Sequence, residues 1–199
     1  MNAAGSPAID LRDGDALIIV DVQNDFLPGG ALAVKNGDEV VPALNTYIDL
    51  FLTKGLPIIA TRDWHPADHS SFQARGGPWP PHCIADSRGA QFAAGLRLPQ
   101  DATVISKAVT PDKDAYSGFQ GTELEAVLRS YGVRRAFIGG LATDYCVLNT
   151  VTDALENRYQ VYVLRDAIRP VNVHPDDGSK AEQEMVAKGS TMITIEDLA

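Results

Sequence analysis

Short apolar runs that end in a polar residue alternate along the chain with segments of helical periodicity. The apolar runs lie at residues 16–21, 56–63, 103–107, 134–140, 160–166 and 191–195, and apolar residues at helical spacing occur at 38–55, 122–131, 147–155 and 179–188. Continuous apolar runs of this length are typical of strands buried on both faces of a parallel sheet. The alternation predicts parallel strands joined by right-handed crossovers, with helices on both faces of the sheet.

Length and composition favour one domain. The 199 residues, 45% of them hydrophobic, suffice for one buried core, and no change of composition divides them. The sequence therefore predicts an α/β fold, with a single-domain three-layer αβα arrangement over residues 1–199 and a mostly parallel six-stranded sheet. The polar residues 1–15 are expected to form a loosely held N-terminal tail.

Chemically reactive side chains stand at the carboxyl ends of four predicted strands. Asp21, Asp63 and Lys107 end their strands, and Cys146 follows the glycine turn after the fourth. In open parallel sheets, functional sites lie outside the carboxyl ends of the strands, where the strand order reverses. Any one of these residues alone could be a solvated or capping residue, but four at one edge of one sheet predict a shared site.

Cys146 is the candidate nucleophile of this site. It falls in the first turn of a predicted helix, where free N–H groups and the helix dipole favour a thiolate; the alternative is a small buried hydrophobic residue. Asp21 is the candidate base, and we expect it to form an ion pair with Lys107 beside the thiol. The N–H groups of Ala142 and Cys146 are the candidate oxyanion donors, and a strained or cis peptide before Ala142 would help to aim them.

A second polar set follows the second predicted strand. Asp63 and His65 are alternate residues that project to the same side of an extended segment, and His82 lies in a later, proline-rich stretch. Asp63, His65 and His82 predict a site for one divalent metal ion per chain. Their donors suit zinc, iron or manganese without deciding among them, and zinc is the ion we expect. His69 is either a fourth ligand or a group that supports the ligands. Without a metal, the same residues would form a hydrogen-bonded polar loop.

Three aromatic residues lie on the loops that follow these strand ends. Phe26, Trp79 and Tyr116 offer flat faces that suit a planar ring, and they are the candidate substrate-binding residues. For each of them, packing in the core or at the rim of the site is the alternative. The sequence thus favours a small planar substrate.

Charge and cysteine content limit the partners and the compartment. The net charge is −9 and the 17 basic residues are scattered, so neither nucleic acid nor an anionic membrane is an expected partner. No apolar run approaches the roughly 20 residues of a membrane helix, and the N-terminal segment lacks the features of an export signal. Two cysteines fit a reducing, cytoplasmic location. The sequence leaves two questions open: whether Cys83 and Cys146 form a disulfide, and whether the protein is a monomer or a homo-oligomer.

Five motifs spread over almost the whole chain carry a family resemblance. They are DVQNDF at 21–26, TRDWHPADH at 61–69, WPPHC at 79–83, the strand-end lysine followed by DAYSGFQG, and GLATDYCV at 140–147. Together they resemble the nicotinamidases (pyrazinamidases) of the isochorismatase-like cysteine hydrolase superfamily.

The resemblance implies a role for each residue already singled out. It implies that Asp21, Lys107 and Cys146 form the catalytic triad and that Asp63, His65 and His82 are the metal ligands. The N–H groups of Ala142 and Cys146 would be the oxyanion amides. Phe26 and Trp79 would sandwich a pyridine ring. The implied reaction is hydrolysis of nicotinamide to nicotinate and ammonia through a thioester, a step of NAD salvage. Pyrazinamide, with the same carboxamide and an equivalent ring nitrogen, is expected to be a second substrate.

Two other functions are alternatives to this one. A related cysteine hydrolase could act on another small amide or a carbamoyl compound and would lack the metal dependence, because the fold alone does not settle the chemistry. A catalytically silent binding domain of the same fold is the second alternative. The histidine segment argues against the first, and the presence of all three triad residues argues against the second.

Overall fold

A six-stranded, entirely parallel sheet forms the centre of the computed structural model, which describes residues 8–199. The strands are β1 (Asp15–Val20), β2 (Ile58–Asp63), β3 (Thr103–Lys107), β4 (Arg135–Leu141), β5 (Gln160–Arg169) and β6 (Thr191–Ile193). They lie in the order β3-β2-β1-β4-β5-β6, and every neighbouring pair runs parallel. The predicted α/β class and six-stranded sheet are confirmed.

Helices cover both faces of the sheet. They are α1 (Val40–Thr53), α2 (Leu124–Ser130), α3 (Leu148–Glu156) and α4 (Asp177–Ala187). Alternate residues of β1 serve opposite faces: Leu17 and Ile19 pack in the core that contains α1, whereas Ile18 and Val20 pack in the core that contains residues of the other three helices. This is the predicted three-layer αβα arrangement. None of the helices in residues 8–199 has the length and apolar character to cross a membrane.

The strand order reverses between β1 and β4. From β1 the chain moves outward through β2 to β3, then returns to the other side of β1 and moves outward again from β4 to β6. The connections that leave β1 and β4 therefore run in opposite directions and open a crevice at the carboxyl ends of these two strands. Asp21 follows β1 directly, and Cys146 follows β4 after a short turn, so both lie at this crevice.

Gly140 allows β4 to approach β1 closely at the crevice. Its φ is +128°, and a Cβ atom built on it would lie 2.1 Å from the carbonyl oxygen of Val20. The pairing of β4 with β5 also shifts register between Ile138 and Gly140. Only glycine combines this backbone conformation with so close an approach. Gly140 thus places the segment that leads to Cys146.

The N-terminal segment is attached to the domain over the part that the structure describes. The N–H of Ile9 donates to the carbonyl oxygen of Asp197 at 2.7 Å, and Asp15 is already the first residue of β1. The expected loose tail therefore does not hold for residues 8–15. Residues 1–7, the remainder of that expectation, lie outside the described residues.

Gly140→Ala is expected to destabilise the protein more than Gly132→Ala. Both glycines have positive φ, but a side chain at Gly132 would meet nothing within 4 Å. Backbone strain costs each variant about 1–2 kcal/mol, and overlap with Val20 costs Gly140→Ala a further ~1–3 kcal/mol. Urea unfolding of both variants measures the difference. Equal unfolding free energies would show that the close contact with β1 is unimportant.

Candidate active site and metal centre

The Lys107 ammonium is the centre of a fully buried cluster of charges. Lys107 ends β3, and its Nζ lies 2.9 Å from the Asp21 carboxylate, with both side chains 0% exposed. Nζ donates to Asp63 Oδ1 at 2.5 Å, to the carbonyl oxygen of Ala115 at 3.1 Å and to Cys146 Sγ at 3.5 Å. These three bonds use all three ammonium hydrogens. The structure therefore brings the predicted ion pair and the thiol into contact.

Asp21 is held rigidly beside the thiol. The residue adopts a left-handed φ of +49°, and its Oδ1 accepts a hydrogen bond from Thr61 Oγ1 at 2.6 Å. Its Oδ2 forms the ion pair with the Lys107 ammonium and has no other polar partner within residues 8–199. Ligand atoms of Asp21, Asp63 and Cys146 lie within 4.8 Å of one another. One carboxylate oxygen of Asp21 thus has free acceptor capacity within reach of the sulfur.

Burial controls the protonation of the nucleophile. It raises the pKa of Cys146 well above its usual value; Lys107 opposes the shift, and Asp21 adds to it. Burial also raises the pKa of Asp21, again against the effect of Lys107. This shift runs against the expectation that the helix end makes Cys146 a thiolate, because burial and the neighbouring carboxylates oppose the effect of the dipole.

The turn before Cys146 presents backbone amides to the crevice. The Leu141–Ala142 peptide is cis, and Thr143–Val147 forms a π-helical turn that precedes α3. The carbonyl oxygen of Ala142 accepts from the N–H groups of Tyr145 and Val147, both at 3.1 Å, whereas the N–H of Ala142 itself finds no acceptor within residues 8–199. This geometry leaves an N–H without an acceptor on a residue that lines the same cavity as Cys146.

Asp63, His65 and His82 form a group that could hold a metal ion. One ligand atom from each lies within 4.8 Å of the others, and all three residues are buried. His65 Nδ1–H donates to the carbonyl oxygen of Ala108 at 3.2 Å, and His82 Nδ1–H to that of Pro80 at 2.8 Å. Each ring therefore keeps Nε2 for coordination, the usual arrangement of ligating histidines.

Backbone pairing joins the two segments that carry these ligands. The N–H of His65 donates to the carbonyl oxygen of Cys83 at 3.0 Å, and the N–H of Ala85 donates to that of His65 at 2.8 Å. His65 and Ile84 thereby form a parallel bridge outside the main sheet. The bridge places His82 beside His65, although 17 positions separate them in the sequence.

The protonation states of this group suit a divalent cation. Burial alone would raise the pKa of Asp63, but Lys107 and His65 outweigh it and hold this pKa below its usual value. Burial lowers the pKa of His82. The group therefore offers an ionised carboxylate and a neutral imidazole, the forms that bind metal.

His69 packs behind the metal-ligand candidates. Its Nδ1 accepts from Ser71 Oγ at 2.8 Å, and its Nε2–H donates to the carbonyl oxygen of Lys113 at 3.1 Å. Its ring stacks on that of His65 with centroids 4.2 Å apart. Because both ring nitrogens have partners, this geometry favours a supporting role over a fourth ligand.

One cavity is lined by the thiol, the metal-ligand candidates and the aromatic candidates together. The predicted residues at its wall are Phe26, Asp63, His65, Trp79, His82, Tyr116, Ala142 and Cys146. Asp21 and Lys107 lie behind this wall, in contact with Cys146 or Asp63. Six further residues line the cavity that were not among the predicted site residues: Leu32, Ser71, Asp114, Ala115, Tyr145 and Val171. Of these, Tyr145 precedes the candidate nucleophile, and Asp114 and Ala115 precede Tyr116, so only these three carried a signal in the sequence.

The aromatic residues form two sides of the cavity. Trp79 Nε1–H donates to Tyr116 Oη at 3.0 Å, and the Trp79 ring meets that of Tyr145 edge to face at 5.1 Å between centroids. The Phe26 ring lies 5.7 Å from that of His82.

Free Cys83 does not pair with Cys146, so the disulfide that the sequence left open is absent among the described residues.

Known proteins resemble this chain in sequence and in fold. It is 41% identical over 203 residues to a nicotinamidase of Escherichia coli (strain K12), over 92% of this chain and 95% of that protein. The structure of a pyrazinamidase of Pyrococcus horikoshii in complex with zinc matches with a TM-score of 0.88 and 50% identity, over 92% of this chain and 99% of that one. The structure of PnC1 from L. infantum in complex with nicotinate matches with a TM-score of 0.87 and 37% identity, over 96% and 98%.

A family assignment follows from these similarities. The Isochorismatase domain matches residues 15–197, which is nearly the whole described chain. The matched range includes all the strands and helices that form the cluster around Lys107. The chain therefore belongs to the isochorismatase domain family.

Proposed function

We propose that this protein hydrolyses nicotinamide to nicotinate and ammonia, with Cys146 as the nucleophile. The observation that carries the proposal is the buried contact of the Cys146 thiol, the Lys107 ammonium and the Asp21 carboxylate at one aromatic cavity. Relatives named nicotinamidase, and neighbours solved with zinc and with nicotinate, support the assignment.

The first half of the reaction makes a thioester. Asp21 accepts the Sγ proton while the sulfur attacks the carboxamide carbon, and Lys107 stabilises the negative charge beside it. The N–H groups of Ala142 and Cys146 donate to the oxyanion of the tetrahedral intermediate. When the C–N bond breaks, the proton held by Asp21 passes to the leaving nitrogen and ammonia departs.

The second half releases the acid. A water molecule attacks the thioester carbon and gives a proton to Asp21, which returns it to Cys146 as the C–S bond breaks. Nicotinate leaves and the thiol is regenerated. Burial raises the pKa of Asp21, which favours its role as proton acceptor in both half-reactions.

Asp63, His65 and His82 would hold one divalent metal ion, for which their carboxylate and imidazole donors favour zinc over harder cations. When bound, the ion supplies a Lewis acid that orients the pyridine nitrogen, directly or through water. Phe26 and Trp79 would flank the ring, and Tyr116 would hold Trp79 in place through its hydrogen bond. A pyrazine ring offers the same nitrogen and carboxamide, so pyrazinamide is a second substrate of the proposed site.

The proposed setting is NAD salvage in the cytoplasm, with residues 1–199 as one domain. Free Cys83 and Cys146 are compatible with a reducing compartment. The cavity has a size and chemistry for a small molecule, and its wall of carboxylate, imidazole and aromatic groups offers no cationic surface to a nucleic acid.

Cys146→Ala is expected to abolish ammonia release from nicotinamide, lowering kcat by about 10⁴-fold or more because the nucleophile is lost. Ammonia release by metal-replete protein measures the effect, with thermal melting as the control for folding. Release that survives the substitution would refute thiolate attack. If the wild-type protein released ammonia from another amide or a carbamoyl compound but none from nicotinamide, the substrate assignment would be wrong.

His82→Ala is expected to weaken zinc binding, whereas His174→Ala leaves it unchanged. His174 is a matched control because its side chain is 78% exposed and lies outside the cavity. Loss of a residue that binds the metal directly should raise the dissociation constant for zinc by at least ~100-fold. Loss of a residue that only hydrogen-bonds to a ligand has a smaller effect. Competition with a chromophoric chelator gives both constants. Tight binding that persists in His82→Ala would remove this histidine from the metal centre.

Tyr116→Phe is expected to raise the KM for nicotinamide about fivefold with little change in kcat, since one hydrogen bond to Trp79 is worth about 1 kcal/mol. The substitution keeps the ring and removes only the oxygen that accepts from Trp79 Nε1–H. Steady-state kinetics separates the two constants. A fall in kcat at unchanged KM would contradict a role in binding the ring.

A further inference from the structure

Strands β1 and β2 do not end at the same level of the sheet. The last paired residues of β1 and β2 are Val20 and Thr61, and the chain turns out of the sheet at Asp21, where φ is +49°. β2 continues to Asp63. The side of Asp63 that would face β1 therefore has no neighbouring strand.

The side chain of Gln23 occupies the position of the missing strand. Its Nε2 donates to the carbonyl oxygen of Asp63 at 2.8 Å, and its Oε1 accepts from the N–H of Asp63 at 2.8 Å. The second Nε2 hydrogen bonds to the carbonyl oxygen of Ala90 at 2.9 Å. Gln23 is 0% exposed. A side-chain amide thus makes the two bonds that a strand backbone would make, and both of its donors are used.

The opposite side of Asp63 is held by β3. Asp63 pairs in register with Lys107, and the N–H of Trp64 donates to the carbonyl oxygen of Lys107 at 3.1 Å. The backbone of Asp63 is therefore clamped between Gln23 and β3. Its carboxylate is directed at the Lys107 ammonium through Oδ1 and lies 3.7 Å from His65 Nε2 through Oδ2.

We propose that Gln23 is a positioning residue that continues the β1–β2 pairing through its side chain and thereby sets where Asp63 meets the metal ion and Lys107. The inference rests on the proposed metal site at Asp63. Gln23 is not among the residues that line the cavity, so it acts through Asp63 and not on the substrate. Its bond to the carbonyl oxygen of Ala90 also links Asp63 to the segment that follows Ile84. Ile84 forms the bridge with His65 and lies two positions after His82.

Two substitutions test this role. Gln23→Met keeps the length of the side chain and removes all three hydrogen bonds, whereas Gln23→Glu keeps the acceptor for the N–H of Asp63 and removes both donors. Asn45→Leu is the matched control, because the Asn45 amide makes the same two-way pair, with the carbonyl oxygen of Gly95 and the N–H of Arg97, away from the cavity.

The readout is the zinc dissociation constant, from chelator competition, together with the rise in Tm that added zinc produces. Loss of an outer partner of a metal ligand typically costs 10–100-fold in affinity, so Gln23→Met is expected to raise the constant by about that factor. Gln23→Glu is expected to raise it less and to show a smaller zinc-induced rise in Tm than the wild type. Asn45→Leu is expected to lower the Tm without changing the constant.

The outcomes separate this inference from the proposed function. Wild-type affinity for zinc in both Gln23 variants would overturn the positioning role while leaving the metal site in place. An equal loss of affinity in Asn45→Leu would overturn it too, because the effect would then follow from lower stability alone. If Gln23→Met fails to fold, Gln23→Glu carries the same test. Absence of zinc binding by the wild-type protein would overturn the metal site itself, and this inference with it.

Discussion

A buried ammonium group is the constraint on which this structure depends. Lys107 is 0% exposed at its side chain, and a charge removed from water is tolerated only where ionised partners and hydrogen-bond acceptors surround it. Asp21 follows β1, Asp63 ends the adjacent β2, and Cys146 enters from β4 on the other side of β1. This strand order brings all three partners close to the end of β3.

The same ammonium joins the proposed nucleophile and base to the proposed metal ligands. Asp63 forms an ion pair with Lys107 through Oδ1, and its Oδ2 faces His65 Nε2. The two carboxyl groups then diverge in acidity: the pKa of Asp63 is lowered by Lys107 and His65 against burial, whereas burial raises the pKa of Asp21. Two acids with opposite shifts in one site suit opposite tasks, a permanent anion for a metal ion and an exchangeable base for a thiol.

The succession of strands and helices along the chain was readable from the sequence, as were eight of the residues that line the cavity. Apolar runs that end in Asp21, Asp63 and Lys107 are local patterns, and a parallel sheet must gather such ends at one edge. The metal-ligand candidates were also readable, because Asp63 and His65 are alternate residues of an extended segment and His82 lies in the proline-rich stretch that follows. Cys146 was found by its place after a glycine turn, although its protonation state was not.

The interactions among these groups follow only from the folded chain. Burial and two nearby carboxylates raise the pKa of the Cys146 thiol, and no local pattern reports the solvent that a folded chain excludes. The pairing of Gln23 with Asp63, 40 positions apart, depends on where β1 leaves the sheet. The cavity wall at Val171 comes from an irregular loop without periodicity. In each case the contact that matters joins segments that are far apart in the sequence. Such a contact forms only once the sheet has formed.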